Sequence, residues 1–458
     1  MKYDVVIMGV GASGTALLYT LSKYTTIPRI ALVEKYATLG QVNSHATSNS
    51  QTLHVGDIET NYTIEKVRQV KPAAMMVKHY IDTLPTHERD AIMRTVQKMV
   101  LAVGTGEVET LERRYAALQE IFPELQKLDG AGIAAVEPEV MRGRNLHEQV
   151  LALFNPDGYA VDFGMLAQSL ATQAQKQTGK QVDMLLRHTV RTIEREDDGY
   201  LLHTNDGDIS ARIVIVDADA YSLGFAKSLG YGKEFSLIPI AGSFYFTPQK
   251  LRGKVYRVQE PRMPFAAVHG DPDLTRDGAT RWGPTARFYP VLEAGKIDTM
   301  IDFFKTSGFL RWQSYISMIS ILLEPIRFWY LLKNFFYDLP LIGKYFLLPQ
   351  LRKIIPTMRG SELRWARGYG GMRLQRVDTR TRELLLGEGK IVGDHIIFNM
   401  TPSPGASVCL YNAMRDAEHI ATFYADYAFD KTRMLTELCP PQTTTSSTDV
   451  SLIESYAS

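Results

Sequence analysis

The chain reads as an α/β protein, and three observations predict it. Short β-branched runs alternate with amphipathic helical stretches, a Gly-rich turn joins the first strand to the first helix, and sheet-like segments return late in the chain. The 458 residues are 45% apolar and 22% charged, which excludes fibrous, collagen-like and disordered chains. That length supplies core for roughly two or three domains. Formal net charge is +1, from 51 basic and 50 acidic residues, so no broadly basic surface points to nucleic acid. Cys409 and Cys439 provide neither a disulfide framework nor a Cys-pair metal motif, so no metal is expected and the compartment reads as reducing.

Residues 3 to 8 form a β-branched strand that opens the fold at once, which argues against a cleaved leader. Residues 15 to 24 carry Ala16, Leu17 and Leu21 at helical spacing, and residues 30 to 33 form an apolar strand ending on Glu34. The stretch from 65 to 128 reads as largely helical, broken near Pro85 and at Gly104-Thr105-Gly106. Another amphipathic helix spans 162 to 177. Asp197-Asp198-Gly199 is a hairpin turn, Asn205-Asp206-Gly207 is the next, and 213 to 216 is a buried strand. Residues 233 to 290 alternate like sheet, 300 to 350 are apolar, aromatic and helical, and 364 to 398 return to strands. A last helix begins near Ser407, with Leu410, Ala413, Met414, Ala417 and Ile420 on one face. The Thr/Ser-rich tail, 440 to 458, is expected to be disordered. The stretch 313 to 323 is too short for a spanning helix, which needs about 20 apolar residues.

Gly9-Val10-Gly11-Ala12-Ser13-Gly14 lies between strand and helix, with Glu34 at the end of the second strand. Its glycines permit a tight turn, close approach of backbone to a pyrophosphate, and close helix–strand packing, while the acid suits a ribose hydroxyl. A nicotinamide enzyme usually completes its cofactor domain in one continuous half. Here the compatible sheet segments reappear only at 183 to 220 and 391 to 400, which favours FAD. Ser403-Pro404-Gly405-Ala406-Ser407 opens a helix whose positive end suits a reduced flavin. The predicted fold is therefore a Rossmann-like FAD-binding domain built from discontinuous segments (1–70, 150–225, 360–425). A helical segment (71–149) and a mixed or antiparallel substrate sheet (226–300) accompany it, with an apolar helical insertion at 301–358.

Several segments resemble the malate:quinone oxidoreductase family. They are Asn49-Ser50-Gln51-Thr52-Leu53-His54-Val55-Gly56-Asp57 with its continuation to Thr63, Gly242-Ser243-Phe244-Tyr245-Phe246, Val268-His269-Gly270-Asp271-Pro272-Asp273, Gly283-Pro284-Thr285-Ala286 and the run from Asn399 to Ser407. With the N-terminal fingerprint, the matches run from residue 3 to about 425. The resemblance implies FAD-dependent oxidation of L-malate to oxaloacetate, electron delivery to a membrane quinone, and a peripheral position on the cytoplasmic side of the membrane. It also implies cofactor contacts from Gly9, Gly11, Ala12, Ser13, Gly14, Glu34 and Lys35. Further contacts are implied from Ser50, Gln51, Thr52, Val190, Ala218 and Gly370, and from Pro404, Gly405, Ala406 and Ser407. The His and Gly-Pro segments also occur in enzymes oxidising L-2-hydroxyglutarate, so another 2-hydroxy acid is the alternative substrate. A flavin-fold protein with impaired FAD binding is the non-catalytic alternative. It is motivated by Asp219, which stands in Asp217-Ala218-Asp219-Ala220 where the family typically has Asn-Ala-Gly-Ala.

Oxidising a secondary alcohol needs a base near neutrality, for which histidine is the default. His269, at a strand end, is the first candidate, and His54 is the second as base or substrate-positioning residue. A dicarboxylate needs cationic clamps, and Arg373, after Gly368-Tyr369-Gly370-Gly371-Met372, and Arg281, before Trp282, are the candidates. Aromatic residues interleaved with Arg311, Arg327, Lys333, Lys344, Arg352 and Lys353 suit either an interfacial surface with a quinone entrance or a buried helical subdomain or oligomer interface, and the family resemblance favours the membrane.

Overall fold

The computed structural model describes residues 2–259, 267–309, 311–385, 387–400 and 404–440. The tail beyond Pro440, residues 401–403 of the last Gly-rich turn and residues 265–266 before His269 lie outside the described residues.

Lys2–Met8 is buried from Tyr3 onward on both faces, as a central parallel strand must be. It runs parallel to Arg29–Glu34 on one side and Gly207–Val216 on the other, with Val5 opposite both Ile30 and Ile213. Gln181–Leu186 extends the sheet past Arg29–Glu34, and Ile396–Met400 extends it past Gly207–Val216. Segments nearly 400 residues apart thus share one sheet, as the discontinuous Rossmann-like reading expects. Alternate residues serve opposite faces. Val5, Ile7, Ile30, Leu32 and Ile213 pack under the helices Ala12–Tyr24 and Cys409–Phe423. Val6, Met8, Val33, Val214 and Phe398 pack on the other face with Tyr200 and Leu202.

A second sheet joins Tyr245–Pro248, Ala279–Gly283, His269–Pro272, Lys254–Arg257, Met93–Val103 and Val150–Val161 in that order, with short strands at its two edges. The stretch 65 to 128 is largely helical as expected, in Ile64–Asp82, Thr86–Ile92 and Thr105–Ile121, but between the last two helices it forms the unexpected eleven-residue strand Met93–Val103. Val150–Val161, grouped above with the cofactor segments, pairs antiparallel with that strand instead. The cause is buried charge. Lys98 and Asp57 form a 2.8 Å ion pair with side chains 1% and 0% exposed, so a lysine that reads as a solvent marker lies inside the sheet.

A smaller sheet, with Phe235–Ala241 antiparallel to Met372–Asp378, carries the apolar insertion. Phe303, Met318 and Ile321, from the helices Met300–Ser307 and Trp312–Leu322, pack against Leu237, Ile240, Leu374 and Val377. The outward face stays apolar: Trp312 is 72% exposed and Trp329 65% exposed, and Phe335, Leu341 and Tyr345 are exposed as well. Among the described residues no single helix is long and apolar enough to cross a membrane. Trp312–Leu322 and Pro325–Tyr337 meet that measure only together, bent by 78°.

Candidate active site and dinucleotide cavity

A cavity of about 730 Å³ opens where the first parallel strands end. Gly9, Gly11, Ala12 and Ser13 line it, followed by Glu34 and Lys35. Gly9 has φ +110°, and a Cβ there would stand 2.3 Å from the Asp217 carbonyl oxygen, so this turn needs glycine. Gly14 is not on the wall. A Cβ there would stand 2.0 Å from the Gly9 carbonyl, so its absence lets the helix seat on the strand. The Ala12 N–H donates to Ser44 Oγ at 2.9 Å, and Glu34 accepts from the Val10 and Tyr36 amides at 3.3 and 2.9 Å. Glycine turn, helix N-terminus and acid therefore line one wall and suit the pyrophosphate and ribose of a dinucleotide.

Val190 and Ala218 are on the same cavity wall, as are Ser50, Thr52, Pro404, Ala406 and Ser407. Gln51, Gly370 and Gly405 are not on it. Gln51 is fully buried and pins a loop, accepting from the Leu274 amide at 2.9 Å and donating to the Ala46 carbonyl at 3.0 Å. A Cβ on Gly370 would fall 1.9 Å from the Gly242 carbonyl, so this glycine serves backbone packing.

Asp219 takes φ +50°, ψ −122° at the start of the helix Ala220–Ser228, a conformation that glycine adopts without strain. Its carboxylate accepts from Asn43 Nδ2 at 2.8 Å, and Asn43 Oδ1 accepts from the Met372 amide at 3.3 Å. The turn therefore survives the glycine replacement with its carboxylate engaged.

The four candidates for substrate chemistry separate clearly. His54 lines the cavity, its Nδ1 paired with the Glu59 carboxylate and its Nε2 3.2 Å from Ser50 Oγ. Its backbone amide donates to Ser407 Oγ at 3.0 Å, which ties it to the turn before the helix Cys409–Phe423. Burial alone would raise the Glu59 carboxyl, but His54 and Lys98 hold it below its ordinary range. Arg373 also lines the cavity, and among the described residues no hydrogen bond or ion pair engages its guanidinium. Burial lowers its pKa, while Tyr330, Tyr256 and Tyr62 lie within electrostatic range.

His269 and Arg281 are not on the wall. His269 is 1% exposed and stacks on Tyr256 at 4.2 Å between ring centroids. The Tyr256 hydroxyl lies 2.8 Å from that of Thr52, which does line the cavity. His269 Nδ1 donates to the Ala267 carbonyl at 3.1 Å, leaving Nε2 without a partner among the described residues. Burial pushes the imidazole down to about 3. Arg281, expected to clamp substrate, is fully buried between Asp271 at 2.9 Å and Asp273 at 3.3 Å and donates to the Asn49 carbonyl at 3.0 Å. It is a structural cation.

Sequence reasoning missed Asn43, Ser44, Glu59 and Tyr256. Glu59 falls inside the quoted segment from Asn49 to Thr63, five residues from His54, and that spacing was the available signal. Asn43 and Ser44 carry no local pattern, because their partners lie far along the chain.

The family model described as malate:quinone oxidoreductase matches residues 1–457. A probable malate:quinone oxidoreductase from Campylobacter jejuni is 41% identical over 448 residues, covering 95% of this chain and 99% of the relative. A malate:quinone oxidoreductase from Helicobacter pylori is 39% identical over 461 residues, covering 96% and 99%. Among solved structures, L-α-glycerophosphate oxidase from Mycoplasma pneumoniae, with FAD bound, superposes with TM-score 0.65 at 19% identity, covering 93% of this chain and 96% of that one. Glycine oxidase from Geobacillus kaustophilus superposes with TM-score 0.62 at 18% identity, covering 94% and 98%. These two show the fold.

Burial raises the Asp219 carboxyl to about 6, so the neutral acid prevails below that pH and the carboxylate above it. A charged Asp219 near the Gly9 turn repels a pyrophosphate. FAD affinity measured by fluorescence titration is expected to weaken as pH rises through about 6, and Asp219→Asn to flatten that dependence. An unchanged profile in the variant contradicts this.

Proposed function

The chain belongs to the malate:quinone oxidoreductase family, and from that membership we propose that it oxidises L-malate to oxaloacetate with FAD and delivers the electrons to a membrane quinone. The observation that carries the reading is the meeting, on one cavity wall, of a dinucleotide turn, an uncommitted arginine and a carboxylate-backed histidine. Gly9 to Ser13, Glu34, Ser50 and Thr52 would hold FAD, with Ala406 and Ser407 at its other end. When bound, FAD supplies the acceptor for the hydride from the substrate carbon and relays two electrons to the quinone.

Arg373 offers two parallel N–H donors to one substrate carboxylate, and the low dielectric around it strengthens that pair. The same contact orients the carbon that bears the hydroxyl. His54 is the proton acceptor. Its Nδ1 faces a carboxylate, which fixes the tautomer with the Nε2 lone pair outward, and Glu59 stabilises the imidazolium once Nε2 has taken the hydroxyl proton. His269 has the same tautomer but is one ring removed from the cavity through Tyr256. It therefore serves better as a neutral, buried hydrogen-bond acceptor than as the base. The balance closes: the alcohol loses one proton to His54 and one hydride to the cofactor, and the ketone remains.

The exposed face of the helices Trp312–Leu322, Pro325–Tyr337 and Gly343–Arg352 is the membrane-facing surface. Arg311, Lys333, Arg352 and Lys353 are exposed around it. Each basic side chain contributes about 1 kcal/mol at an anionic bilayer, and each buried large apolar side chain adds about 1.5–3 kcal/mol. In this reading the protein sits peripherally on the cytoplasmic side of the membrane, beside its quinone, and the exposed apolar and basic residues support contact with an anionic bilayer.

His54→Gln is expected to lower kcat by about 100-fold or more, and Glu59→Gln to lower it less with KM nearly constant, in steady-state assays with a soluble quinone analogue. Equal activity of unmodified protein and His54→Gln contradicts the assignment. Arg373→Lys keeps the charge but loses the planar fork, so kcat/KM for L-malate is expected to fall about ten- to a hundredfold, mainly through KM. The function as a whole is tested by L-malate-dependent reduction of a quinone analogue without nicotinamide, and no reduction overturns it. Sedimentation with anionic lipid vesicles is expected to fall in a Trp312→Ser, Trp329→Ser double variant, and undiminished sedimentation removes this surface from the account.

A further inference from the structure

Glu293 is a carboxylate on the cavity wall to which the reading above gives no role. Glu293 is 3% exposed, yet it accepts from donors on three separate parts of the chain. Lys35 and Tyr36, directly after the strand that ends on Glu34, both donate to it. Tyr221, in the helix Ala220–Ser228, donates at 3.0 Å, and Lys296, three residues ahead, lies at 3.2 Å. Lys35 also sits over the Tyr221 ring at 4.2 Å, and Lys296 over the Tyr36 ring at 4.0 Å. The lysines and Tyr36 hold the Glu293 carboxyl below its ordinary range despite burial.

Glu293 belongs to a crossing segment rather than to the cofactor sheet. The Leu292 and Glu293 amides donate to Thr299 Oγ1 at 3.1 and 3.3 Å, which closes the segment on itself. Beyond it the helix Met300–Ser307 lies tight on Ala220–Ser228: a Cβ on Gly224 would stand 2.8 Å from Thr306 Oγ1, and Lys227 Nζ donates to the Thr306 carbonyl at 2.8 Å. That second anchor is fixed by backbone approach. The segment between is held to the cofactor sheet by Glu293. Leu292, Glu293, Lys35 and Tyr221 all line the cavity, at the end where Glu34 meets a ribose by the fingerprint logic.

We propose that Glu293 is a cofactor-retaining residue, whose carboxylate clasps the segment 289–299 across the adenosine end of the cavity by gathering Lys35, Tyr36 and Tyr221. FAD leaves that end only when the clasp opens, so Glu293 governs the rate of release. The inference rests on the FAD reading above. In the test, holoenzyme is placed in concentrated bromide and flavin release is followed by the rise in flavin fluorescence, with far-UV circular dichroism as the folding control. Glu293→Gln keeps the shape and removes the charge, and it is expected to release flavin about tenfold faster, the scale of one charge-assisted hydrogen bond. Tyr221→Phe removes one donor without burying a lone charge, and it is expected to accelerate release by a smaller factor. Release as slow as in the unmodified protein from both folded variants overturns the clasp. If Glu293→Gln does not fold, Tyr221→Phe decides alone, with unaccelerated release overturning the clasp. Unmodified protein that takes up no FAD overturns the functional reading instead, so the two failures are distinct.

Discussion

Asp271 sits in the second sheet with no access to water, held by Arg281 at 2.9 Å and Lys254 at 3.2 Å. Both cations then reach out of the sheet with their remaining donors, Arg281 to the Asn49 carbonyl and Lys254 to the Ser50 carbonyl at 2.9 Å. The loop that carries Ser50, Thr52 and His54 to the cavity is thereby pinned by buried charge. Further bonds hold it: the Leu53 amide to the Tyr159 carbonyl, and the Val161 amide to the Gln51 carbonyl, each at 3.1 Å. Breaking such a cluster by deleting one partner costs about 3–5 kcal/mol, because a charge is left stranded without water. Burial, with Arg281 and Lys98 close by, pulls Lys254 down to about 8 even though Asp271 opposes the shift. The cluster is weak evidence for stability but strong evidence for a single loop geometry, and the histidine–arginine constellation depends on that geometry.

How much of this was legible in the sequence follows from how local each signal is. The glycine turn with its acid is a contiguous pattern, and the structure puts both on one wall. The parallel strands returning near 213 and 396 were legible because both faces are apolar over Ile213 to Val216 and Ile396 to Phe398, which leaves those runs unbroken. Met93–Val103 was hidden by Arg94, Gln97 and Lys98, whose polarity broke the apolar run although Lys98 is buried against Asp57. Arg281 shows the converse: the sequence holds a cation before a tryptophan, but its partner Asp271 faces it only through the antiparallel register of two strands. A pairing of that kind has no linear signature. Asn43, joining Asp219 to the strand of Arg373, is invisible for the same reason.

The helical insertion unites two tasks that the sequence read separately. One side of Pro325–Tyr337 brings Tyr330 within electrostatic range of Arg373, while the other leaves Trp329 and Phe335 exposed. The surface we assign to the bilayer and a residue facing the proposed substrate site thus belong to one helix. The segment that carries Glu293 runs from the same insertion to the cavity, whose wall Leu292 and Glu293 join.

The central claim is that one cavity holds FAD beside a site that oxidises L-malate. Its most direct test is the visible spectrum of the purified protein under anaerobic conditions, before and after L-malate is added. The account predicts an oxidised-flavin spectrum that bleaches on addition. A flavin spectrum unchanged by L-malate, or protein that takes up no flavin when FAD is supplied, contradicts it.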